Sequence, residues 1–362
     1  MKNLSTPHSP HSYKAGDFVS SQSANAILAK ARAMYGKCLK EADYQGLLNC
    51  KSVTEIAAYL KQRTAYSSAI SGMNENEIHR GQLETKLRQE LYFDLFALSR
   101  YAHEDTLAFS DFVISKMEIE QIIKCLMLVN IGKPEEYVYS MPLSLDKFAK
   151  ISLEALAGVR SYSDMLDALK GSPYYSVLLQ FSPKDNERIN ITYIEIALEN
   201  KSYEKAIETI QNGKHKSDKK ELLDIFSSML DIENMSRIIR LKKYYGFSEE
   251  EIMPMLIPYG RLSQKMLSEL CKAENVDKIF DILKNTYIGR LISELRCHEQ
   301  NQMADVMIYN YCRHHLRLSP NPTIVMISYI YLREIELKNI VNLIEAARYG
   351  LPADEKAKLL IK

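Results

Sequence analysis

Apolar and polar residues along this chain follow the 3.6-residue period of helices, and one phrase of that pattern returns three times. It reads Glu118-Ile119-Glu120-Gln121-Ile122, then Asp231-Ile232-Glu233-Asn234-Met235, then Glu336-Leu337-Lys338-Asn339-Ile340. The starts are 113 and 105 residues apart. After each phrase an apolar stripe continues: Ile119, Ile122, Ile123 and Leu126; then Ile232, Met235 and Ile239; then Leu337, Ile340, Val341 and Ile344. Positions i, i+3, i+4 and i+7 share one side of a helix, so each phrase predicts a helix facing a core.

A second phrase stands about 60 to 70 residues before the first in every copy. It begins at Ser52, Ser161 and Asn275, whose side chains suit a helix start, and acidic residues follow in the first turn. Val53, Ile56 and Leu60, then Tyr162, Met165 and Leu169, then Val276, Ile279 and Leu283 give a narrow apolar stripe. A Lys (Lys61, Lys170, Lys284) and then a Tyr (Tyr66, Tyr174, Tyr287) close each segment. Two phrases in one order, three times over, predict a threefold helical repeat.

The breaks divide the chain. Residues 1–14, with Pro7, His8, Ser9, Pro10 and His11, read as a flexible tail. Repeat one covers 15–134 and ends at Gly132-Lys133-Pro134; repeat two covers 135–243; repeat three covers 244–362 and opens near Ser248, with Glu251 three residues on as a capping box. Long helices are expected over about 21–38, 75–102 and 106–128, and a short one from Glu41 to near Cys50. The Asn212-Gly213 pair lacks flanking strand patterns and reads as a break between helices. The predicted class is all-α.

Composition narrows the function. Of 362 residues 46% are hydrophobic, and 47 basic against 46 acidic residues leave a net charge of +1, which disfavours a nucleic-acid surface. The one basic cluster, Lys214, His215, Lys216, Lys219 and Lys220, reads as a solvated inter-helix loop. Six scattered cysteines (Cys38, Cys50, Cys125, Cys271, Cys297, Cys312) without a C-x-x-C pair fit a reducing compartment. The longest apolar run, residues 324–332, is far shorter than the about 20 residues a membrane helix needs.

Candidate chemistry is thin. In Cys312-Arg313-His314-His315 the adjacent histidines point about 100° apart on a helix, which defeats shared metal binding. His103-Glu104-Asp105 lies where two helices meet, and Asp105 is expected to cap the second. Glu249-Glu250-Glu251 fills a helix first turn, where negative charge is favourable by itself. No catalytic, cofactor-binding or metal-binding residue is assigned, and no cofactor is expected.

The chain resembles the family of C-type subunits (d-type in eukaryotes) of the V-type and archaeal-type rotary ATPases over about residues 24–361. The resemblance rests on Ala24-Asn25-Ala26-Ile27-Leu28-Ala29-Lys30-Ala31-Arg32-Ala33-Met34, on Asp43-Tyr44-Gln45-Gly46-Leu47-Leu48, on the stretch from Asp231 to Arg240, and on Glu336-Leu337-Lys338-Asn339-Ile340-Val341 with Ala346-Ala347-Arg348-Tyr349-Gly350-Leu351-Pro352. It implies a pseudo-threefold funnel of three similar helical domains. Such a funnel sits peripherally on the cytoplasmic face of a prokaryotic plasma membrane. It would be a non-catalytic part, with the central shaft and the membrane rotor ring as partners, passing torque for H⁺ or Na⁺ transport. The chain departs from the pattern in its tail and in Gln121, where the other copies have Asn234 and Asn339. A free helical-repeat scaffold for protein–protein interaction shares every compositional feature, and a carboxylate–metal enzyme would need facing acidic motifs that the chain lacks.

Overall fold

A computed structural model describes residues 15–74, 78–101, 104–146, 148–184, 187–212, 216–293 and 302–362, with backbone alone at 15–23, 104–108, 216–218 and 291–293. The tail at 1–14, His103, Asp185, Gly213, Lys214, His215 and Cys297 lie outside the described residues. Among those described, the chain is mainly helical and holds no strand. The fold is all-α.

The three striped phrases lie in three long helices: Glu104–Asn130, Lys216–Arg240 and Pro322–Arg348. Their stripes are buried as the period requires, with Ile122, Leu126, Ile232 and Ile340 at 0% exposure; Val341 is only half-buried. The short phrases are helices as well. Ser52, Ser161 and Asn275 each accept a hydrogen bond from the backbone N–H three residues on, from Glu55, Asp164 and Lys278.

Each long helix stops at a left-handed glycine: Gly132 (φ 72°), Gly246 (φ 65°) and Gly350 (φ 69°). They stand fourteen, fifteen and fourteen residues after Glu118, Asp231 and Glu336. In the first and third, Gly132 N–H returns to Val129 and Lys133 N–H to Leu128, as Gly350 N–H returns to Ala347 and Leu351 N–H to Ala346. This paired return satisfies the helix's last carbonyls, and glycine permits the turn without a Cβ penalty. The middle copy has one extra residue. It is absorbed in a π turn, Leu241–Tyr245, whose wider winding keeps the glycine at the helix end.

Several sequence-based boundaries move. The first helix runs Ala15–Tyr35 rather than 21–38, and the helix expected over 75–102 is Arg80–Ser99 within the described residues. The first striped helix already includes Glu104, so Asp105 does not cap it.

Packing gives two cores. The larger joins residues from Ile27 to Ile361 across all three copies. The smaller combines Leu47, Ile56, Leu60, Tyr66, Ile70, Leu83 and Leu87 from near the start with Leu337, Ile340, Leu343 and Ile344 from near the end. The Pro322–Arg348 helix therefore packs against the opening helix Ala15–Tyr35, against Arg80–Ser99 and against its neighbour Met303–Leu318.

Candidate functional site: three carboxylate–tyrosine junctions and a charged hollow

The first acidic residue of each striped phrase is buried: Glu118 and Asp231 at 0% and Glu336 at 5% exposure. A buried carboxylate needs donors, and in all three copies a tyrosine hydroxyl and a backbone N–H supply them. Glu118 accepts from the Tyr174 hydroxyl and Lys150 N–H. Asp231 Oδ2 accepts from the Tyr287 hydroxyl at 2.7 Å, and from Arg261 and Leu262 N–H at 2.8 and 2.9 Å. Glu336 accepts from the Tyr66 hydroxyl at 2.8 Å, from Leu39 N–H at 2.6 Å and from Arg333.

These tyrosines are the ones that close the short phrases. Within each sequence copy the short phrase precedes the striped helix, but in space each carboxylate takes the tyrosine of the phrase that follows, 56 residues later in both Glu118–Tyr174 and Asp231–Tyr287. Glu336 takes Tyr66, 270 residues back, so the third junction ties the end of the chain to its beginning.

The residue three positions after each carboxylate makes a second tie. The Asn234 side chain exchanges two hydrogen bonds with the backbone of Ile257, both 2.8 Å. Asn339 does the same with Ile361, at 2.9 and 2.8 Å. Gln121, longer by one methylene, accepts instead from the Tyr137 hydroxyl at 3.4 Å. The departure of copy one thus keeps a buried polar tie with a different partner.

Burial and charge tune these groups. Desolvation raises the pKa of Asp231, opposed by its bonds from Tyr287, Arg261 and Leu262. Desolvation also raises that of Glu336, opposed by Arg333 and Tyr66. The tyrosines of all three junctions are pushed up, first by burial and then by the neighbouring carboxylate, so they stay neutral donors. Arginines stack on two of them, Arg261 4.7 Å from the Tyr287 ring centre and Arg333 5.1 Å from that of Tyr66. The third junction extends further, since Asp94 accepts from Arg333 at 2.8 Å and from the Tyr329 hydroxyl at 2.6 Å.

Positions two residues before and after each carboxylate point about 200° away, to the opposite helix face. Beside those of the first and third copies a cavity of about 660 Å³ opens, with Lys116, Glu120, Glu199, Glu334 and Lys338 among its lining. Lys116 Nζ lies 4.8 Å from the Tyr331 ring centre. Glu199 accepts from Arg237 at 2.5 Å. Burial pushes its carboxyl up to about 7 against the pull of Arg237, and the nearby Glu233 and Glu195 add to the rise. Burial likewise raises Glu334, opposed by Lys116.

The other candidates resolve as local structure. Cys312 is buried within the Met303–Leu318 helix, and the His314 and His315 rings stand at 87° to one another with His314 exposed. Glu251 accepts from Ser248 N–H at 2.8 Å, and Glu249 accepts from Ser268 at 2.5 Å. Among the described residues no group of three or more His, Cys, Asp or Glu is placed to hold a metal ion, and no helix is long and apolar enough to cross a membrane. The junctions themselves were half legible: the phrases stood out, but their mutual contact did not.

Fold and junctions together define an all-helical protein whose buried carboxylates and tyrosines tie distant helices to one another. The chain belongs to the ATP synthase (C/AC39) subunit family, whose model matches residues 27–358. It is similar to the A-type ATP synthase C-type subunit of Methanosphaera stadtmanae, 22% identical over 345 residues, 92% of this chain and 86% of that protein. It is also similar to the proteins of the same name from Methanothermobacter thermautotrophicus, 24% identical over 86% of this chain and 80% of that one, and Methanosarcina barkeri, 23% identical over 91% and 90%.

Proposed function

We propose that this chain is the non-catalytic central-stalk subunit of a rotary ATPase or ATP synthase, a funnel that joins the central shaft to the membrane rotor ring and passes torque during H⁺ or Na⁺ transport. Its three modules would be the copies at 15–134, 135–243 and 244–362, interlocked because each striped helix takes a tyrosine from another copy. The observation that carries the reading is the third junction. Glu336–Tyr66 closes the series of modules end to start, and a closed series of packed modules resists twisting without a free end that could unwind. Membership of the family supplies the machine; the charged hollow between the long helices supplies a seat for the shaft foot.

The protein would attach to the membrane through its partners. The test is affinity isolation of the tagged chain from detergent-solubilised membranes of its own host. Head, shaft and ring subunits are expected together in stoichiometric amount. Recovery of the chain with none of them would leave the free helical-repeat scaffold as the better account.

A further inference from the structure

We infer that a second cavity, at the seam where the start of the chain meets its end, binds a small organic phosphate. Arg313 and Arg317 take the phosphate, and tyrosine rings surround the body that carries it. The cavity is about 420 Å³, and Tyr35, Lys40, Tyr44, Tyr309, Arg313 and Arg317 line it. Tyr309, Arg313 and Arg317 stand four residues apart on the Met303–Leu318 helix, so they form one row along one face. The other wall is the end of the Ala15–Tyr35 helix with the turn into Glu41–Leu48. Glu336 holds that turn through its bond from Leu39 N–H at 2.6 Å, so the third junction borders the site.

The charges point to an anion, because the acids of this cavity are engaged and its arginines are not. Glu41 is paired with Lys362 at 2.9 Å, and Glu336 with Arg333. Among the described residues, Arg313 and Arg317 make no ion pair and no side-chain hydrogen bond, and Lys40 makes no ion pair. Arg313 lies only over the Tyr309 ring, 5.7 Å from its centre. The helix end does not call on these arginines, since Arg32 donates to the Leu316 and Ser319 carbonyls at 3.0 and 2.8 Å. The Tyr35 and Tyr309 hydroxyls have no acceptor among the described residues; that of Tyr44 accepts from Asn339 at 3.5 Å, and its proton is likewise unclaimed there. Burial raises Tyr35 and Tyr44, so both stay protonated donors. Two guanidinium forks already saturate the two oxygens of a carboxylate. A phosphate monoester, with three strong acceptor oxygens and a charge near −2, can use the hydroxyls and Lys40 as well. The cavity exceeds what a phosphate group alone fills and falls within the range of about 300–1,000 Å³ for small-molecule sites. Its remaining surface, the tyrosine rings with Leu332 and Ile335, suits an aromatic or apolar body.

The inference stands apart from the coupling role, and its test uses the purified full chain. Phenyl phosphate, inorganic phosphate and benzoate are titrated by calorimetry at constant ionic strength. Phenyl phosphate is expected to bind tightest, with the other two weaker by about tenfold or more, since one lacks the ring and the other the phosphate. Arg313→Gln with Arg317→Gln should weaken phenyl phosphate by about tenfold or more. Tyr35→Phe with Tyr309→Phe, which keeps the rings and removes the hydroxyls, should weaken it by a smaller factor. Should the double arginine variant fold poorly, Arg317→Gln alone, at an exposed position, carries the same test. Benzoate binding as tightly as phenyl phosphate would overturn the phosphate, and inorganic phosphate binding as tightly would overturn the organic body. Phenyl phosphate affinity unchanged in the arginine variants would overturn the site. No binding of any probe at millimolar concentration would also overturn it and leave the two arginines to an acidic side chain of a partner protein.

Discussion

The hydroxyl of Tyr66 lies 2.8 Å from Glu336 Oε1, a hydrogen bond across 270 residues of sequence that closes the third junction with a side chain from the first copy. Arg333 donates to the same Tyr66 oxygen at 2.8 Å and also to Glu336 and Asp94, so four polar side chains share one desolvated site. Networks of this kind stabilise only when every member is satisfied.

Removing the hydroxyl should therefore cost more than an average hydrogen bond. Tyr66→Phe leaves a buried carboxylate short of a donor, and about 1–3 kcal/mol of stability should be lost. Tyr174→Phe and Tyr287→Phe should cost similar amounts, because Glu118 and Asp231 use the equivalent hydroxyls. Denaturant unfolding of the three variants checks this; a loss confined to one of them would show that the junctions are not energetically equivalent.

Gly260 touches the second junction. A Cβ there would lie 1.8 Å from Asp231 Oδ1, an overlap no rotamer of the Cβ itself can relieve. Gly260→Ala should destabilise by about 1–3 kcal/mol, the range for forcing extra atoms into a packed site. In Asp231→Ala the colliding oxygen is gone, so the additional cost of Gly260→Ala should shrink. A double-mutant cycle measures that coupling, and strict additivity would refute the steric account.

Acid should act on the hollow in an unusual direction. The Glu199 carboxyl is raised from its ordinary 4.5 to about 7. Between those values the folded state holds the proton more tightly than the unfolded chain. Its contribution to stability is thus full below the unfolded pKa and lost as pH rises toward 7. Glu334, Asp231 and Glu336 are raised as well and act in the same sense. Glu199→Gln should flatten the slope of thermal stability against pH in this window. An unchanged slope would locate the proton uptake elsewhere.

Ile340 and Ile344 are buried at 0% and 1% in the core that joins chain end to chain beginning. Ile340→Asp with Ile344→Asp places two carboxylates there, at several kcal/mol each if they stay ionised. Misfolding of the protein, release of the catalytic head from the membrane and loss of ATP-driven ion transport are the expected results. Normal folding by circular dichroism together with full pumping would mean that this helix is not in the torque path.

The sequence by itself determined the class of fold. Helical periodicity, the caps at Ser52, Ser161 and Asn275, and the glycines at the ends of the long helices are local signals, set by hydrogen bonds and sterics within a few residues. They put Glu118, Asp231 and Glu336 at matching places on matching helices. Which tyrosine each would meet was not legible, because the choice between the phrase before and the phrase after depends on how helices pack. Only the tertiary structure decided that Glu118 reaches forward to Tyr174, Asp231 forward to Tyr287 and Glu336 back to Tyr66. The same packing turned Lys116, Glu334 and Glu199, ordinary surface charges in a linear reading, inward on one hollow, since a residue 200° from a core stripe is solvent-facing only until another helix covers it.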